Sequence, residues 1–95
     1  MASSIALHEA SRELEAASQI DWGVFVDVYL TDAARVGERY AARAHRDQSG
    51  AIRDGMTIIT PPVVLLSQVG MFSLLRSSSG RDHYVIVTRH LASGA

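Results

Sequence analysis

The chain has 95 residues, 47% of them hydrophobic and 20% charged, with a formal net charge of −1. This balance excludes a mainly disordered chain, and no apolar run approaches the ~18 residues of a membrane-spanning helix. Cysteine is absent, which excludes disulfides and thiolate chemistry.

The length predicts a single small domain over residues 1–95. Met1-Ala2-Ser3-Ser4 lacks the basic start and apolar stretch of a signal peptide, so a cytoplasmic location is expected. All nine basic residues are arginine, a bias typical of a GC-rich bacterial genome. Every positive charge is therefore a planar fork suited to carboxylates and phosphates. Residues 1–48 carry a net −3 and residues 49–95 a net +2, too mild an asymmetry to imply a nucleic-acid partner.

A first helix is predicted from a Ser3 or Ser4 cap to about Gln19. Leu7, Ala10, Leu14 and Ala17 form a thin apolar stripe on it. The next segment has two readings. Val24 to Leu30 alternates like a strand and is rich in β-branched residues. The helical template matches over a longer stretch, through Trp22, Phe25, Val26, Tyr29, Leu30, Ala33, Val36, Gly37 and Tyr40. Asp21 stands at an N-cap position, with Ile20 and Phe25 as a hydrophobic staple. The longer match is preferred, giving a second helix from Trp22 to about Arg46. Gly37 inside it costs about 1 kcal/mol relative to alanine. In the strand reading, Thr31 or Asp32 caps a shorter helix.

The second half reads as a β-meander. Strands are expected at Met56–Thr60, Val63–Ser67, Phe72–Arg76 and His83–Arg89, with a turn at Gln68–Met71. Pro61-Pro62 marks an edge or a bend, because neither residue can donate to a ladder. Val63–Leu66 and Tyr84–Val87 are nearly continuous apolar runs, as in strands covered on both faces. His90–Ala95 reads as a frayed end. The expected fold is α+β, with two N-terminal helices packed on a C-terminal three- to four-stranded antiparallel β-meander. One helical layer covers one face of that sheet, and the apolar second face points to a homodimer.

Two clusters are candidates for function. On the predicted second helix, Arg35, Arg39, Arg43 and Arg46 recur at i, i+4, i+8 and i+11, a row that can track a phosphate backbone. The plainer reading is a solvated face paired with Asp32, Glu38 and Asp47. Around the last strand, Arg81, His83 and Arg89 suggest acid–base cleavage of RNA. Strand alternation puts Tyr84 and His90 on the other face, so the whole set does not converge.

The four histidines show no ligand spacing, and no metal or cofactor is expected. Ser77-Ser78-Ser79-Gly80-Arg81 lacks the strand and helix context of a phosphate loop. The leading reading is a non-enzymatic interaction module that forms homodimers through its sheet or its alanine-rich first helix. The alternative is a nucleic-acid-binding regulator using the arginine row, or a module with an acidic protein partner. The third is a small phosphodiester-cleaving, ribonuclease-like toxin. No membrane partner is expected.

Overall fold

The computed structural model describes residues 11–90. Residues 11–18 are helical (α1), in a stretch of serine, arginine, glutamate, leucine and alanine with good helix propensity. The helix tightens at its end, where Gln19 N donates to Ala16 O and Ile20 N to Ala17 O. The Asp21 carboxylate then turns the chain by accepting from Gly23 N at 2.9 Å. Trp22 folds back and donates from Nε1 to Ala17 O. The predicted Ser3 or Ser4 cap, Leu7 and Ala10 lie outside the described residues, as does the segment 91–95.

Six strands follow: β1 (Val28–Val36), β2 (Arg39–His45), β3 (Met56–Ile59), β4 (Val63–Val69), β5 (Phe72–Ser77) and β6 (His83–Ile86). They form one sheet in the order β3-β2-β1-β6-β5-β4. This arrangement overturns the expected two helices on an antiparallel meander. The predicted helix Trp22–Arg46 is instead a loop and a β-hairpin, with Val36 paired to Arg39 across Gly37-Glu38. Gly37 has φ 63, as the first central residue of a two-residue II′ turn requires. The apolar residues that mimic a 3.6 period are divided between the two faces of β1 and β2. Gly70, with φ 59, makes the same kind of turn between Val69 and Phe72.

The sheet is mixed. β1 and β6 run parallel, with Val28 opposite Tyr84 and Leu30 opposite Ile86. Beyond that ladder β1 bulges at Asp32 (φ 53), which breaks the register between Thr31 and Ala34. Thr88 secures the bulge, its hydroxyl accepting from Asp32 N and its carbonyl from Ala33 N.

The sheet must also curl. β3 and β4 stand at opposite edges, five interstrand spacings of about 4.8 Å apart if the sheet were flat, roughly 24 Å. Only Thr60-Pro61-Pro62 joins them, a link that spans at most about 14 Å. The strands therefore wrap into an open barrel. Buried Thr60 ties the link to β2, with its N donating to Tyr40 O and its hydroxyl accepting from Tyr40 N. Val63 N donates to Glu38 O nearby.

Two apolar cores result. Val28, Leu30, Ala42, Ala44, Leu75, Tyr84 and Ile86 fill the concave interior. Tyr29, Leu74, Val85 and Val87 face outward beneath Leu14, Ala17 and Trp22 of α1 and its following turn. The run Tyr84–Val87 is thus buried on both sides, as its composition suggests. The similar run Val63–Leu66 is not, because it forms the rim of the barrel.

Candidate functional site

The arginine row does not survive as a row. Arg39 and Arg43 share one face of β2, two alternations apart. Arg35 pairs opposite Tyr40 and so belongs to the other face. Its Nε donates to Gly37 O, bracing the hairpin turn. Arg39 donates to Thr60 O at 3.4 Å. Arg43 borders a shallow depression with Asp32, Thr57 and His90. Arg46 lies past the end of β2 with φ 55, and its guanidinium holds Glu15 of α1 at 2.8 Å. That hydrogen bond, helped by Gln19, keeps the Glu15 carboxyl below its ordinary value.

The second cluster is also dispersed. His83 begins β6, opposite Arg76, and exposed Arg81 is in the preceding loop. Arg89 lies six residues beyond His83, roughly 20 Å along an extended chain. Its guanidinium donates to the hydroxyl of buried Ser73 at 2.8 Å. His45 closes β2. Its Nε2 shares a 2.8 Å hydrogen bond with the Thr31 hydroxyl. Burial holds its imidazole below the ordinary histidine value, against an opposing pull from Asp54.

What the structure does bring together is apolar. Six of the seven residues of β4 are exposed, and the strand has no charged residue and no proline. Its outer edge has no neighbour in the sheet. Val64, Leu65, Leu66 and Val69 are all exposed, and Met71 at the hairpin tip is 85% exposed. Natural edge strands are blunted by charges, prolines, short length or bulges. Here the bulge between Leu65 and Ser67 is the device present, and it leaves a run on either side open to pairing. The other edge, β3, has only four residues.

Comparison of the chain with known protein families, with curated proteins and with solved structures finds no match to any of them.

The edge strand was half visible in the sequence. Val63–Ser67 reads as an uncharged apolar strand next to two prolines, which is the right signal. Its place at the rim follows only from the β1–β6 pairing, which leaves β4 last in the order. No helix among the described residues is long and apolar enough to cross a membrane.

Proposed function

We propose that this protein is a non-enzymatic interaction module that forms homodimers by pairing β4 with β4 of a second copy. The observation that carries this reading is the long, uncharged, exposed edge. Unpaired N–H and C=O groups along such an edge are a template for another strand. A strand without charge offers a charged peptide nothing to recognise. A second copy supplies an identical uncharged strand, and a net charge of −1 allows two copies to approach closely. Two-fold pairing consumes the β4 edge of both copies and leaves only the short β3 edges at the ends. Such assembly closes at a dimer instead of extending into a fibre.

Sedimentation velocity across a range of concentrations tests this. Dimers are expected at tens of micromolar, and Val64→Lys or Val69→Lys should return the chain to monomer with an unchanged far-UV circular dichroism spectrum. A strict monomer at high concentration, or a dimer indifferent to both lysines, would overturn the proposal.

A further inference from the structure

The parallel pairing of β1 and β6 sets the starts of two strands side by side. Asp27 precedes β1 and Asp82 precedes β6. They are locked in register, because Asp27 N donates to His83 O and the Asp27 carboxylate accepts from His83 N at 2.8 Å. β2 runs antiparallel to β1, so its end delivers a third carboxylate, Asp47, to the same place. Gln48 N donates to Asp27 O and fixes that approach. The three aspartates border a cavity of about 380 Å³, whose other walls include Val28, Ile52 and Ile58.

Tyr84 also lines this cavity. It is only 7% exposed. Its hydroxyl makes no hydrogen bond among the described residues and is not sealed off from the cavity, since Arg76 Nε is the one enclosed side-chain atom without a partner among them. Burial and the nearby charges of Asp82, Asp27 and Asp47 push its pKa up to about 12, so the hydroxyl stays protonated. The Asp82 carboxylate likewise has no hydrogen-bond partner among the described residues, whereas Asp47 is engaged by Ser49 and Ile52 N. No arginine or histidine forms an ion pair with any of the three aspartates among the described residues.

We propose that this cavity binds an alkylammonium group, its charge among Asp27, Asp47 and Asp82, its N–H donating to the Tyr84 hydroxyl oxygen, and its carbon stem against Val28, Ile52 and Ile58. The chemistry of the walls selects this class. Three acidic groups without a paired cation favour a positive ligand. Among the described residues, no three acidic or imidazole groups are placed tightly enough to hold a metal ion. A longer cation with several N–H donors and an apolar stem matches both the spread of the carboxylates and the aliphatic walls. The cavity volume falls within the range of small-molecule sites. The chain contains no lysine, so a second copy cannot supply a lysine ammonium. The ligand is either a free amine or the lysine side chain of another protein.

Isothermal titration calorimetry of the whole protein separates these sources, using 1,4-diaminobutane in one arm and N-acetyl-lysine methylamide in the other. Saturable binding in either arm supports the site, and the arm that binds identifies the source. Asp82→Asn and Tyr84→Phe should each weaken that binding at least ten-fold. Asp82 is chosen because its carboxylate accepts no hydrogen bond among the described residues, and circular dichroism confirms that each variant remains folded. The proposal fails if neither amine binds up to millimolar concentration. It also fails if a folded variant of both positions binds as well as the wild type, or if magnesium or calcium saturates the protein and the amines do not.

Discussion

Replacing Gly37 by alanine separates a hairpin from a helix by the sign of the effect. In the hairpin, residue 37 holds φ 63. An L-residue held in this left-handed region costs about 1–2 kcal/mol. Alanine also restricts the unfolded chain, which returns about 0.4–1 kcal/mol. No heavy atom lies within 4 Å of a Cβ built at this position, so side-chain crowding adds nothing. The net expectation is a loss of about 1 kcal/mol, given those two contributions. For a domain of this size such a loss lowers Tm by about 4–8 °C. In a helix from Trp22 to Arg46 the same change would raise stability by about 1 kcal/mol. The two architectures therefore differ by about 2 kcal/mol and in direction. Urea denaturation followed by circular dichroism measures the difference. A semisynthetic chain with D-alanine at position 37 should be more stable than the wild type, because its backbone favours positive φ. An L-alanine variant that is more stable than the wild type would refute the hairpin and the sheet order built on it.

Leu30 is fully buried where β1 meets β6, and Leu30→Ala should cost about 2–5 kcal/mol, whereas Met71→Ala, at an exposed turn, should stay within about 0.5 kcal/mol; equal urea midpoints for the two variants would contradict the inner core. His45 has a folded pKa below its unfolded value, so below the ordinary histidine pKa of about 6.5 the unfolded chain binds more protons than the folded one. Stability should therefore fall as pH drops from about 7 through that window, and His45→Gln should flatten the decline in urea midpoints measured at successive pH values. A pH dependence unchanged in His45→Gln would assign the effect elsewhere.

How much of this fold the sequence discloses depends on whether local signals agree with one another. Gly70 and Gly37 make the same kind of turn. Gly70 is legible because uncharged β-rich runs flank it. Gly37 is hidden because Tyr29, Leu30, Ala33, Val36 and Tyr40 happen to recur at helical spacing, while β-branched Val24, Val26 and Val28 speak for a strand. In a curled sheet both faces of a central strand are buried, so apolar residues accumulate without strict alternation and imitate a helix. The four second-half strands are legible in their starting residues, although β4 runs two residues further than its pattern suggests and β6 stops three residues sooner. Their pairing is not, because nothing local to Tyr84-Val85-Ile86 names Val28–Leu30 as its neighbour. The helical arginine row is lost for the same reason: a spacing of i, i+4 and i+8 becomes, on strands, residues divided between faces and loops. The three aspartates of the cavity are separated by 20 and 35 positions and show no motif; the parallel β1–β6 register unites Asp27 and Asp82, and the antiparallel β1–β2 pairing brings Asp47 to them.

That register also sets the order in which the molecule can be completed. β1 is made early and its central neighbour β6 is the last of the six strands, so a growing chain carries an open β1 edge while the four strands between them are made. Each half can zip its own hairpin locally, but the seam between them closes only when β6 has left the ribosome. Truncations that remove β6 should therefore behave as two orphaned ribbons prone to clump, and a chaperone able to shield one bare strand would be needed until β6 emerges.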